Sequence, residues 1–539
     1  MVCEQGGMSM RNIKLLDCTL RDGGYVNSWK FGHDNLVSIY ERLIDAGIDI
    51  IEIGFLDERE PFDLNRSIMP DTDSVQKIYG KLDKKQSMIV GMIDYGTCGI
   101  ENIKPCDESY LDGIRVIFKK HLSKPAMEFC KEIKKMGYKV FAQLVSVTSY
   151  TDEELLDFIK IANEIKPYAV SMVDTYGLMH QNDLMHYFNL LNQYLDLEIG
   201  LGYHAHNNFQ MGYANCIAML SNNIERLMIV DGTVYGMGKS AGNAPIELIA
   251  MHMNNFLGKK YHISQILEAI DVNISQFYSP STWGYNMFYY VSALNDCHPN
   301  YVTYLMNKRT LSIKSINEVL SRLKGEKKLL YDKDYIENLY IEYQKNEVND
   351  LEDRLKLKKI LENEEILLVG PGVTMQTQKE KIEEFVRERS PIIISINYVP
   401  EYLEPNYIFL SNSKRYVQLA TRLSNEKYSV IATSNVTGTN KDAFAYILNF
   451  STLMDKDAEI VDNSLIMLLK ILIDLECKNV TLAGFDGYSQ EHSNYFNKSM
   501  EYDFVKNMAE YLNSYTRNFI EENKAKIGIC FLTESKYGG

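Results

Sequence analysis

The sequence predicts an α/β protein: a (β/α)8 TIM barrel with a helical extension, followed by a second, Rossmann-like α/β domain. Two observations carry this reading. Between Ile13 and about residue 260, eight short Val/Ile/Leu-rich runs alternate with helical patterns, which is the arithmetic of a (β/α)8 barrel. A second alternation of apolar runs and helices begins at Ile366, after a long charged stretch without strand character.

The eight runs are IKLLDCTL from Ile13, DIIEIGF from Asp49, SMIVGMID from Ser87, GIRVIFK from Gly113, KVFAQLVSV from Lys139, AVSMVDT from Ala169, EIGLGYHAHN from Glu198 and RLMIVDGTV from Arg226. Near-continuous apolar runs suit parallel strands buried on both faces. The helical patterns between them carry their own punctuation. HDNLVSIYERLIDAG stops at Gly47, a glycine C-terminal signal. TDEELLDFIKIANEIK starts with Thr151 and has Glu154 three residues on, the pattern of a capping box. Residues 261–360 read as a helical extension and charged, solvated connector. Within 361–539, ILLVGPG, PIIISINYV, NYIFLSN, YSVIATSN, NVTLAGFDGYS and KIGICFLT read as strands and DNSLIMLLKILIDLE as a helix. The expected domains are therefore 11–260, 261–360 and 361–539.

Composition narrows the function. The 539-residue chain has a formal net charge of -15, which disfavours nucleic acid as a partner, because phosphate contacts need a basic face. No apolar run reaches the length of a membrane span, and the first ten residues lack a basic-then-apolar signal. The expected compartment is the cytoplasm. The nine cysteines include no CxxC pair, so they read as reduced thiols rather than as a disulfide framework.

Catalytic groups of a barrel sit at the C-terminal ends of its strands. Those ends hold Asp17 through Gly24, Glu52, Gln143, Asp174-Thr175, His204 through Asn208, and Asp231-Gly232-Thr233 leading into YGMGKSAGN. Alternate strand residues face the same side, so His204 and His206 aim two imidazoles at one point. Neutral imidazole is a common ligand for divalent transition metals, and Asp22 is placed to add a carboxylate. Arg21 beside it offers a guanidinium that can stabilise an enolate or clasp a carboxylate.

Asp17-x-Thr19-Leu20-Arg21-Asp22-Gly23, then His204-x-His206-Asn207, then Gly236-x-Gly238 and Gly242-Asn243 resemble the DRE-TIM metallolyases, and among them the 4-hydroxy-2-oxovalerate aldolase-like group. The resemblance covers about residues 11–260. It implies that Asp22, His204 and His206 bind a divalent metal (Mn, Mg, Co or Zn), with Asn243 as an outer or occasional ligand. It implies that Arg21 stabilises a pyruvate-like enolate, that Thr175 helps hold the 2-oxo-acid carboxylate, and that Glu52 orients the ligands. It also implies a homodimer. The aldolases carry a catalytic histidine near the place of Tyr25, a phenol whose ordinary pKa of about 10 makes it a poorer base; Tyr25, a metal-bound water or another residue is left to transfer the proton. His33 reads as a surface residue at a helix start. Tyr301 stands as the counterpart of the aldolases' catalytic tyrosine. The glycine-rich loop lacks the cysteine of HMG-CoA lyases, and Gly24-Tyr25 replaces the Glu-Gln of Claisen synthases.

LLVGPGVTMQTQKEKI, followed by SIN and LAGFDGYS, resembles Rossmann-like domains related to bacterial sialyltransferases and pterin pyrophosphokinase-like proteins. That resemblance implies a nucleotide or nucleotide-sugar pocket lined by Gly370, Gly372, Asn397 and Asp486. Lys414-Arg415 reads as a solvated basic pair. The expected activity is a metal-dependent aldolase joining or splitting a 2-oxo acid and an aldehyde, in surface-polysaccharide or sugar-acid biosynthesis. The alternatives are a Claisen-type acyltransferase using acyl-CoA and a non-catalytic binding protein.

Overall fold

The computed structural model describes residues 12–279, 282–308, 311–423, 428–436, 443–455, 458–497, 500 and 503–538. The N-terminal segment that contains Cys3 lies outside the described residues. The chain divides into two compact units, 1–299 and 300–539. The helices of 261–360 are thus shared between the units: Ile263–Ala269 and Met287–Leu294 belong to the first, and those from Ile313–Leu320 to Leu351–Leu361 belong to the second.

In the first unit the strands are β1 (Ile13–Asp17), β2 (Ile50–Leu56), β3 (Ile68–Met69), β4 (Met88–Asp94), β5 (Gly113–Phe118), β6 (Lys139–Leu144), β7 (Ala169–Asp174), β8 (Gly200–Ala205) and β9 (Met228–Gly232). All eight expected runs form strands. They pair in parallel from β1 through β9, β8, β7, β6, β5 and β4 to β2, and β1 pairs with β2 to close the barrel. The extra strand β3 adds only two residues beside β2. Burial along β2, β7 and β8 is continuous, because helices cover the outside and side chains fill the inside. The Thr151 capping box forms as the sequence indicates, with Thr151 and Glu154 satisfying each other's backbone amides.

The second unit holds a parallel seven-stranded sheet: β10 (Ile366–Val369), β11 (Ile392–Ile396), β12 (Tyr407–Leu410), β13 (Ser429–Thr433), β14 (Tyr446–Leu448), β15 (Asn479–Ala483) and β16 (Gly528–Phe531). The six expected strands are present, and the three-residue edge strand β14 is additional. The spatial order is β14-β13-β12-β11-β10-β15-β16. The chain therefore winds outward from β10 on one side and resumes on the other at β15. That reversal is a topological switch point, where open parallel sheets bind ligands. No helix among the described residues is long and apolar enough to cross a membrane, and the eight described cysteines are free thiols.

Candidate metal centre

The centre begins with a turn. At the end of β1 the Asp17 carboxylate accepts hydrogen bonds from the Thr19 amide (2.9 Å) and hydroxyl (2.7 Å). This side-chain bonding bends the strand into the short helix Thr19–Asp22. The Thr19 hydroxyl oxygen accepts from the Val234 amide at 2.8 Å, Ser67 donates to the Leu20 carbonyl at 2.6 Å, and the Trp29 indole donates to the Arg21 carbonyl at 2.8 Å. Those bonds fix Arg21 and Asp22 at the barrel mouth. Burial pushes Asp17 up to about 7, against the opposing pull of the Thr19 bonds.

Asp22, His204 and His206 are all buried, and one ligand atom from each lies within 4.8 Å of the others. Burial drives His206 down to about 4, so its imidazole is neutral near pH 7, the form that binds metal. Burial alone would raise Asp22. The Arg21 guanidinium, the two imidazoles and the Asn243 amide reverse that and hold it well below the usual carboxylate range. Asn243 donates from Nδ2 to Asp22. Its Oδ1, like Nδ1 of His206, is buried without a hydrogen-bond partner. A carboxylate, two neutral imidazoles and orphaned buried acceptors fit a divalent cation. Gly238 makes room: a Cβ there would lie 2.3 Å from Asn243 Nδ2 and 2.8 Å from Asp22 Oδ2.

Beneath the cluster the barrel interior is charged. Arg21 binds Asp22 through one nitrogen and Glu52 through another, at 2.5 and 2.8 Å. Arg115 on β5 approaches the same Glu52 oxygen at 3.1 Å, grips Asp231 on β9, and donates to Gln143 at 3.0 Å. Gln143 donates onward to Ser171 at 3.1 Å. Asp231 accepts from His204 Nδ1 at 3.0 Å, the carboxylate–histidine pairing that sets the tautomer of a metal ligand. Burial would raise Asp231, but Arg115 and His204 together hold it low. Three carboxylates face two guanidinium groups in this network. The sequence reading singled out Glu52 and noted Asp231 at its strand end, but it missed Arg115. A lone arginine inside the apolar run GIRVIFK was the available signal.

The other expected residues divide. Tyr25 stands at the mouth, with its ring 4.8 Å from Trp29 and 6.4 Å from Phe55. Desolvation and the Asp22 carboxylate push its phenol up to about 12, although the residue as a whole is 44% exposed. It is therefore a hydrogen-bond donor at neutral pH. Thr175 follows β7, and its hydroxyl oxygen accepts from the Ser146 amide at 2.8 Å. His33 opens the helix His33–Ala46. Tyr301 falls at the start of the second unit and is fully buried. Its oxygen lies 2.6 and 2.9 Å from the Lys327 and Leu330 carbonyls and accepts from the Asp332 amide at 3.0 Å. A phenol with three backbone partners braces the 327–332 turn.

In the second unit, Gly372, Asn397 and Asp486 line one cavity at the switch point, beside Asn412, Asn463 and Tyr488. Gly370 does not line it; its amide donates to the Ala483 carbonyl at 2.9 Å. The turns after β10 and β15 touch backbone to backbone, for a Cβ on Gly372 would meet the Gly484 carbonyl oxygen at 2.5 Å. Asp486 accepts from the Thr374 amide at 2.9 Å. Arg415 departs from the solvated reading: it is buried, and it donates to Gln418 and to the Met500 carbonyl at 3.0 and 3.1 Å.

Relatives among known proteins match a little under half of this chain. A 4-hydroxy-2-oxovalerate aldolase of Pseudoalteromonas translucida is 26% identical over 44% of this chain and 68% of its own length. A 2-isopropylmalate synthase of Sulfolobus acidocaldarius is 24% identical over 47% of this chain and 64% of its own. The solved N-terminal domain of a putative aldolase from Bacteroides vulgatus is 24% identical, with a TM-score of 0.47, over 57% of this chain and 99% of that one. Residues 12–273, which contain Asp22, His204, His206, Asn243 and their whole supporting charge network, match the HMGL-like family.

Proposed function

We propose that the barrel is a divalent-metal-dependent aldolase that makes or breaks a carbon–carbon bond between a 2-oxo acid, with pyruvate as the simplest case, and an aldehyde. The observation that carries this reading is the convergence of Asp22, His204 and His206 beside Arg21. A bound divalent cation supplies Lewis-acid polarisation of a 2-oxo-acid carbonyl. The chain's residues do the rest. Asp22, His204, His206 and Asn243 hold the cation, and Asp231 keeps His204 in the binding tautomer. Arg21, itself fixed by Glu52, presents positive charge where the carbonyl oxygen gains negative charge. Thr175 positions the carboxylate. Tyr25, protonated at neutral pH, donates a hydrogen bond at the mouth.

The test is exchange of the pyruvate C3 protons in D2O, followed by NMR with Mn2+ or Mg2+ and with EDTA. Metal-dependent exchange that is abolished in Arg21→Ala and His204→Ala is the expected result. Exchange that persists in EDTA sinks the reading. The synthase relative favours a second reading, acyl transfer from acyl-CoA to a 2-oxo acid. Acetyl-CoA consumption that requires a 2-oxo acid distinguishes it.

For the second unit we infer a nucleotide or nucleotide-sugar in the switch-point cavity, supported by the place of Gly372, Asn397 and Asp486 in its lining. Thermal shift with a nucleotide panel, lost in Asn397→Ala, tests it.

A further inference from the structure

Lys239 lies in the glycine-rich loop after β9, with its ammonium 5.3 Å from the centroid of the Tyr25 ring. It is half-buried. Among the described residues no carboxylate forms an ion pair with it and no acceptor takes a hydrogen bond from it. The carboxylate within electrostatic reach is Asp22, which Arg21 and Asn243 already engage.

The groups around Lys239 are not counter-ions. Tyr25 is a protonated phenol. His206 is held neutral by burial. His298, which the same ammonium influences, is driven down to about 4 by burial first and by Lys239 second. A cation taken partly out of water without a partner is costly. Burial lowers the pKa of Lys239, with only Asp22 opposing, as expected of an ammonium whose counter-ion is not part of the chain.

Position then says which part of a substrate supplies that counter-ion. Thr175 follows β7, the metal-binding histidines end β8, and Lys239 follows β9. Around the barrel, β8 lies between β7 and β9. In strand order, the segments that carry Thr175 and Lys239 therefore leave the barrel on either side of the strand that carries the histidines. A 2-oxo acid whose carboxylate lies toward Thr175 leaves the Lys239 side to its reaction partner. We propose that Lys239 is a specificity-determining residue that selects an acceptor aldehyde bearing an anionic substituent, a carboxylate or a phosphate. This rests on the aldol reading for the identity of the acceptor.

The test uses the Mn2+-loaded full chain, pyruvate and three aldehydes: neutral acetaldehyde, succinic semialdehyde and glyceraldehyde 3-phosphate. The readout is the ratio of kcat/KM for each charged aldehyde to that for acetaldehyde. Lys239→Met is expected to lower the ratio at least about ten-fold for the preferred anion, and Lys239→Arg to keep most of it. Whichever charged aldehyde shows the drop distinguishes carboxylate from phosphate. A second readout needs no turnover: acylation of Lys239 by an amine-reactive ester, followed by peptide mass spectrometry, with and without inorganic phosphate or succinate. Protection by either anion supports the anion site. Protection without turnover of any aldehyde supports the site and removes the aldol reading. A ratio unchanged in Lys239→Met, or no protection by either anion, overturns the proposal.

Discussion

His204 Nδ1 lies 3.0 Å from a carboxylate oxygen of Asp231, and that carboxylate is in turn gripped by Arg115. The imidazole is thereby pinned with its proton toward Asp231 and its other nitrogen available on the side of Asp22 and His206. The candidate metal centre thus leans on a carboxylate outside the Asp22, His204 and His206 set.

Asp231→Asn keeps the shape but weakens the acceptor that orients His204. Mn2+ affinity is expected to fall about 10–100-fold, measured by calorimetric titration of the metal-free protein. Unchanged affinity would show that His204 is oriented by packing alone.

Gly238→Ala tests the close approach at the loop. A Cβ 2.3 Å from Asn243 Nδ2 and 2.8 Å from Asp22 Oδ2 cannot be accommodated without moving one of them. Metal affinity should drop at least about ten-fold while the far-UV circular dichroism stays that of the wild type. Retained affinity would mean that the loop yields instead of the ligands.

Arg115→Met strips the shared cation from Asp231 and Glu52, which are 1% and 0% exposed. Breaking a buried ion pair by removing one partner costs about 3–5 kcal/mol. Urea unfolding of the metal-free protein should show a loss of that order. A loss below about 1 kcal/mol would mean that the carboxylates find other partners or take up protons.

Asp17 makes stability depend on pH in an unusual direction. Its folded pKa of about 7 lies above the ordinary 3.8, so the folded chain keeps a proton that the unfolded chain releases. The contribution is complete below the unfolded value and is lost as pH rises through about 7. Between pH 5 and pH 8 the wild type should lose on the order of 2 kcal/mol relative to Asp17→Asn. Denaturant unfolding of both proteins at the two pH values measures this; a constant difference between them refutes it.

Local chemistry was legible in the sequence because it acts over a few residues. Apolar runs announced the eight barrel strands, Thr151 and Glu154 announced a helix start, and the HxH spacing put two imidazoles on one side of a strand. The turn from Asp17 to Asp22 likewise uses bonds between near neighbours. Barrel closure decided the rest. Arg115 and Asp231 are 116 positions apart, and no periodicity links them. They meet because β5 and β9 face a common interior, where an unpaired charge is too costly to remain. Tyr301 is a second case: its hydroxyl lies against the Lys327 and Leu330 carbonyls and the Asp332 amide, contacts that no local pattern announces. Local pattern settles which segments become strands and which residue types stand at their ends. Which of those ends share one site follows from closure of the sheet, which sets the distances over which charges and ligand atoms interact.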